Sequence, residues 1–90
     1  MKQLLPHIQI GMYEQSRCFL VVDDYELFDF ISDYLGEECD LPHESQSSEA
    51  RPGGEVITMY FPLSVASAAI VQCLLKLSPA EIERIYRLNN

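Results

Sequence analysis

Cysteine and histidine are the residues of this chain whose spacing first suggests chemistry. Cys39 and His43 form a Cys-x₃-His pair, which is half of the ligand set that a structural zinc ion needs. There is no second pair at a suitable spacing, so Cys18, Cys73 and His7 would have to reach the first pair through folding. Cys18 and Cys73 stand in apolar runs, where thiols are usually inert core residues. We therefore expect no metal and no cofactor, and a small metal- or thiol-dependent protein is kept as an alternative.

Motifs that specify a reaction are missing from the sequence. Gly53 and Gly54 precede a predicted strand rather than a helix, and no Lys follows them, so they do not form a phosphate-binding loop. Acid–base catalysis needs carboxylates in a cleft with shifted pKa values, not on a solvated stripe. We therefore expect a protein that is not an enzyme. Only six Lys and Arg residues are present and they form no basic patch, so nucleic-acid binding is not expected.

Acidic residues are concentrated in one part of the chain. No Lys or Arg occurs between Arg17 and Arg51, and this interval holds ten carboxylates, whereas the net charge of the whole chain is −8. A surface with this charge repels anions and attracts basic partners. The ten carboxylates are Asp23, Asp24, Glu26, Asp29, Asp33, Glu37, Glu38, Asp40, Glu44 and Glu49.

Apolar periodicity predicts the elements that position these carboxylates. Strands are expected at 8–12, 17–22 and 56–61, the first two joined as a hairpin. A first helix is expected over 25–35, with Asp23 or Asp24 as its cap and Gly36 at its end. A second helix is expected over 65–77 with Ser64 as its cap, and a third from Pro79 to about Leu88.

The order ββαβαα predicts an α+β fold, a small three-stranded sheet with three helices packed on one face. The strands that flank the first helix would be parallel if they are neighbours. The chain is expected to be a single globular domain, 1–90, with a polar loop at about 38–54 that lacks an apolar period.

Some of the carboxylates have no structural explanation in the sequence. Asp23, Asp24 and Glu26 lie at the predicted start of the first helix, where the helix dipole and free N–H groups favour negative charge. Asp33, Glu37, Glu38 and Asp40 lie at or beyond its end, where the dipole favours Lys or Arg. Like charges also stack at helical spacing, in the pairs Glu26/Asp29, Asp29/Asp33 and Asp33/Glu37. Because the helix keeps this unfavourable charge, we interpret the charge as a binding surface for a partner protein. The competing interpretation is a solvated face that only aids solubility.

The leading hypothesis is a small binding protein that neutralises a basic protein through the first helix and the segment after it. The chain is short, acidic and without a catalytic motif. In these general properties it is similar to the immunity proteins that bacteria make against their own nuclease toxins. This similarity covers no motif and transfers no residue. Phe30 and Tyr34 are expected to supply packing beside the charge. The predicted partner-binding residues are Glu26, Asp29, Phe30, Asp33, Tyr34, Glu37, Glu38 and Asp40.

The first alternative is a homo-oligomeric structural module, built from the apolar helix 65–77 and the strand 8–12, whose acidity serves solubility alone. A membrane span is the third alternative, because residues 56–75 are uncharged over a length that suits a bilayer. Pro62, Ser64 and the β-branched first half of that run favour a strand followed by a core helix. The sequence also lacks a signal peptide, and its three cysteines are an odd number, so we expect a cytoplasmic protein.

Overall fold

A computed structural model of the chain describes residues 1–14 and 17–88. Its elements are five strands, three α-helices and one π-helix within those ranges. The connection between the first two predicted strands, residues 13–16, lies partly outside the described residues. In chain order the elements are β1 (Lys2–Leu5), β2 (Ile8–Tyr13), β3 (Arg17–Val22), α1 (Tyr25–Asp33), the π-helix Tyr34–Glu38, β4 (Ser45–Arg51), β5 (Gly54–Tyr60), α2 (Ser67–Leu74) and α3 (Pro79–Leu88).

The α+β class is confirmed, but the three-stranded sheet is wrong. The sheet has five strands in the order β1-β2-β3-β5-β4, and every neighbouring pair is antiparallel. The expectation of parallel neighbours is also wrong. After α1 the chain first forms the outer strand β4 and then turns back, so β5 lies against β3 in the opposite direction.

The two strands that were not predicted from the sequence are the two edges of the sheet. β4 occupies 45–51, the second half of the segment predicted as a loop, and all seven of its residues are exposed. A strand that is wet on both faces carries no apolar alternation for a sequence pattern to detect. β1 is four residues long and is separated from β2 by Pro6 and His7, with His7 at φ 65°. A strand this short is hard to recognise from periodicity.

One face of the sheet carries the hydrophobic core. The register places Ile10 beside Leu20 and Leu20 beside Met59, and it aligns Ile8, Val22 and Ile57 in the next row. All six of these side chains are buried. The helices cover this face: α1 packs on β3 and β5, α2 packs on β1, and α3 packs on α1. The apolar faces of the helices complete the core through Leu27, Phe28, Ile31, Leu35, Ile70, Leu74 and Ile82.

α1 begins as predicted, but its end differs. The buried carboxylate of Asp24 accepts a hydrogen bond from the Leu27 backbone N–H at 3.0 Å. After Asp33 the chain widens into the π-helix, and Gly36 lies inside it rather than ending the helix. Asp40 takes the left-handed conformation instead, at φ 56°. The backbone N–H of Leu41 donates to the Leu35 carbonyl at 2.8 Å and closes the segment.

The second helix is shorter than predicted, whereas the third has its predicted length. α2 spans Ser67–Leu74 rather than 65–77, and its cap residue is Ala66, which makes no side-chain cap bond. α3 begins at Pro79 and ends at Leu88 as predicted. The Ser78 hydroxyl accepts from the Ala80 N–H at 3.2 Å. Within 1–14 and 17–88, the helices are all too short to cross a bilayer.

Removing the Asp24 carboxylate is expected to destabilise the fold by about 1 kcal/mol, because Asp24→Ala leaves the Leu27 N–H without its acceptor. The measurement is the urea midpoint of unfolding. Asp23→Ala is the matched control, since Asp23 is exposed and Asp24 makes the cap bond. Equal losses from both variants would show that the cap does not contribute as the geometry indicates.

Candidate protein-binding surface

The carboxylates of the predicted site lie on the outer side of α1 and of the π-helix. The opposite side of the same segment is buried in the core through Leu27, Ile31 and Leu35. The segment is therefore amphipathic, with its apolar side fixed against the sheet and its charged side facing solvent. We call the outer set the acidic face; its members, all exposed, are Glu26, Asp29, Asp33, Glu37, Glu38 and Asp40.

The π-helix places the most crowded part of the acidic face at a helix C-terminus. Glu37 and Glu38 are the last two residues of the π-helix, and Asp40 follows within the closing turn. Neither α1 nor the π-helix has a basic residue in its last turn. The partial negative charge of the helix end therefore adds to the charge of these carboxylates instead of being offset.

The four arginines of the described chain pair with other carboxylates. Four Arg–carboxylate ion pairs and one His–carboxylate contact are present within 1–14 and 17–88, and none involves the acidic face. Arg17 pairs at 3.3 Å with Glu44, a carboxylate from within the interval that lacks basic residues. The rest are His7–Glu83, Arg51–Glu49, Arg84–Glu81 and Arg87–Glu83. Negative charge on the acidic face is thus left uncompensated by the ion pairs of the described chain.

Phe30 and Tyr34 lie beside the acidic face, but both are partly buried against the core. Their rings stack with centroids 6.4 Å apart and planes 9° from parallel. The Tyr34 hydroxyl donates to the Cys73 carbonyl of α2 at 2.7 Å, so this side chain ties the π-helix to α2. Burial, followed by the hydrogen bond and charge of Cys39, raises the pKa of Tyr34. Phe30 and Tyr34 therefore have structural roles in addition to any contact with a partner.

The structure keeps the two histidines of the metal hypothesis apart. His43 contacts Gln46 at 2.6 Å through Nε2, and its ring packs edge-on against Phe28 and Phe61. His7 lies at the other end of the sheet, stacked on Tyr86 with centroids 3.5 Å apart. Over the described ranges, no three His, Cys, Asp or Glu side chains gather as a metal site would require.

His7 and α3 form a separate polar cluster. His7 Nε2 lies 3.2 Å from the Glu83 carboxylate, and Arg87 Nε donates to the same oxygen at 3.2 Å. Both hydrogen bonds lower the pKa of Glu83, and the one from His7 has the larger effect. The cluster attaches α3 to the turn between β1 and β2, which is a structural role.

An uncovered aromatic patch, which was not predicted from the sequence, lies on the face of the sheet opposite the helices. Tyr13 and Tyr60 pack edge-to-face there with centroids 5.3 Å apart, and Phe19 lies 6.0 Å from Tyr13. The Phe19 ring covers Gly11, where an added Cβ would come within 2.4 Å of the ring. The strand 17–22 is apolar at almost every position, so its sequence did not distinguish the core face from this one.

Comparison with protein-family models, with curated proteins and with solved structures finds no match for this chain.

Proposed function

We propose that this chain is a small acidic binding protein that neutralises a basic partner protein. The acidic face would meet the positive surface of the partner, and the edges of the Phe30 and Tyr34 rings would pack at its border. Most concretely, the chain would act in the cytoplasm as an immunity-type inhibitor that covers the nucleic-acid-binding groove of a nuclease toxin. The proposal assigns it no catalytic residue and no cofactor.

The observation that carries the proposal is the separation of charge on the molecule. Six exposed carboxylates share one amphipathic segment, while the four described arginines pair with carboxylates elsewhere. The arrangement costs stability, because like charges are neighbours and several of them lie at the negative end of a helix dipole. A basic partner would relieve this repulsion on binding. The electric field of the acidic face would also accelerate the association of this chain with that partner.

Salt dependence of association is the direct test. The probes are purified basic nuclease toxin domains, beginning with any that is encoded beside this gene. For a true partner we expect the association rate, measured by stopped-flow fluorescence, to fall at least tenfold between about 0.01 M and about 1 M salt. Over this range the Debye length shrinks from ~30 Å to ~3 Å, so charges on the two surfaces no longer attract each other at a distance.

Inhibition of the nuclease by stoichiometric addition of this chain would complete the test. A nuclease that is inhibited with an association rate independent of salt would contradict the role of the acidic face. Failure of the whole panel to bind at low salt would contradict the toxin-inhibitor form of the proposal.

A homo-oligomeric module is the second candidate, and the uncovered aromatic patch is the observation that favours it. The surfaces that the sequence suggested for a dimer are largely used within the fold, since Ile8, Ile10, Ile70 and Leu74 are buried in the core. A dimer would instead use the patch of Tyr13, Phe19 and Tyr60 or the exposed edge strand β4. Analytical ultracentrifugation separates the two candidates, because a tight dimer without affinity for basic proteins supports this one.

A further inference from the structure

Three side chains meet where the π-helix approaches α2. The Tyr34 hydroxyl donates to the backbone carbonyl of Cys73 at 2.7 Å, which fixes the position of Cys73 against the π-helix. Cys39 is the residue that caps the C-terminus of the π-helix. Cys39 is close enough to both groups to raise the pKa of the Cys73 thiol and of the Tyr34 hydroxyl. Two cysteines that are 34 positions apart in sequence thus interact through the fold.

The environment of this pair differs from that of the third cysteine. Cys18 is completely buried in β3, and burial raises the pKa of its thiol. Cys39 and Cys73 are only partly buried at the border of the core, and both are free thiols. A small reagent in solution therefore reaches Cys39 and Cys73 but not Cys18, because access as well as ionisation controls thiol reactivity.

We propose that Cys39 and Cys73 form a thiol–disulfide exchange site that is oxidised by a small disulfide such as oxidised glutathione. One protein thiolate attacks a sulfur of the reagent, forming a mixed disulfide and releasing one glutathione thiolate. The second protein thiolate then attacks the protein sulfur of the mixed disulfide and releases the second glutathione. Two electrons pass from the protein to the reagent, and the two protons of the protein thiols end on two molecules of reduced glutathione.

The oxidised form would hold the C-terminal end of the acidic face more firmly. A bond between Cys39 and Cys73 would join the residue that follows Glu38 to the last turn of α2. It would close a loop that includes β4 and β5, and so would remove conformational freedom from the unfolded chain. This inference does not rest on the proposed function, because the thiols react or fail to react whether or not a basic protein binds.

The pH dependence of the reaction follows from the surroundings of the pair. The hydrogen bond to Cys39, then burial and the charge of Cys39, raise the pKa of Cys73, and the charge of Lys76 partly opposes them. A raised pKa means that less of the thiolate is present at neutral pH and that its fraction grows as the pH rises. Cys39, Tyr34 and Lys76 are the titratable groups that face Cys73. Oxidation should therefore accelerate as pH rises from about 7 toward about 9, the range in which thiols ionise.

The test incubates the reduced, folded full chain with mixtures of oxidised and reduced glutathione and identifies the products by mass spectrometry of proteolytic peptides. The expected product is one intramolecular disulfide that joins Cys39 to Cys73, with Cys18 unmodified. Its formation should raise the melting temperature by on the order of 10 °C, and reduction should reverse the rise.

Three variants provide the controls. Cys39→Ser should accumulate a stable glutathione adduct on Cys73 and should not show the rise in melting temperature, and Cys73→Ser should show the reciprocal adduct. Cys18→Ala should still form the disulfide. Stable adducts on both cysteines of the wild-type chain, a disulfide that includes Cys18, or a disulfide-linked dimer would overturn the proposal. The wild-type peptide map decides the question even where a variant does not fold.

Discussion

Reversing three charges of the acidic face, in the variant Asp33→Lys/Glu37→Lys/Glu38→Lys, is expected to weaken association with a basic partner by at least about 100-fold at low salt. Each substitution replaces an attraction by a repulsion at the surface that would meet the partner. The same variant should unfold at a higher urea concentration, with a gain of about 1–2 kcal/mol. The gain is expected because Lys suits a helix C-terminus and because the like-charge neighbours are removed.

Opposite changes in stability and in binding are the signature of charge kept for a partner. The matched control is Glu49→Lys/Glu55→Lys/Glu81→Lys, which changes the net charge equally but lies on β4, β5 and α3. Measured at about 0.15 M salt, where the Debye length is ~8 Å, it should leave association within a factor of about three, because exposed charges farther away than that are screened. A first variant that is more stable and binds undiminished would show that the acidic face serves solubility.

Truncation of Phe61 is expected to cause a larger loss of stability than most other single substitutions in the core of this chain. Phe61 follows β5, is completely buried, and its backbone N–H donates to the Cys18 carbonyl at 3.1 Å. Phe61→Ala removes a ring from between the sheet and the helices and leaves a cavity, which costs about 3–5 kcal/mol. A domain of this size has a total stability of only ~5–15 kcal/mol. Urea unfolding should therefore show the midpoint of the variant at a much lower urea concentration than that of the wild-type chain.

Phe19→Ala is the matched control because it truncates the same residue type on the uncovered face of the sheet. Phe19 is only partly buried, so its truncation should cost about 1–2 kcal/mol, in proportion to the smaller apolar area that it hides from water. If Phe19→Ala costs as much as Phe61→Ala, and the cost depends on protein concentration, the uncovered face is buried in an oligomer. That result would favour the homo-oligomeric module over the inhibitor.

Local chemistry explains why parts of the molecule were predictable. Asp24 caps α1 because a short carboxylate in front of a helix meets free N–H groups, and this depends on neighbours in sequence alone. Pro79 begins α3 for the same kind of reason. The apolar strands at 8–12, 17–22 and 56–61 were recognised because burial selects their side chains. The exposure of the acidic face followed from the apolar period on the opposite side of α1.

Other features depended on contacts between distant segments. β4 is polar on both faces, so only its hydrogen bonds with β5 make it a strand. Because β4 forms the edge of the sheet before the chain turns back into β5, β5 runs antiparallel to β3. The π-helix replaced the end predicted at Gly36, because Leu35 is buried in the core while Tyr34 reaches the Cys73 carbonyl.

The sequence by itself determined the α+β class, the starts of α1 and α3, and the concentration of negative charge in one segment. These properties follow from composition and from interactions between near neighbours along the chain. Only the tertiary structure decided the five-stranded order, the aromatic patch on the uncovered face and the meeting of Cys39 with Cys73. Each of these features brings together residues that are far apart in sequence. Such contacts depend on how the whole chain packs, because the stable packing buries the most apolar surface while every strand stays hydrogen-bonded.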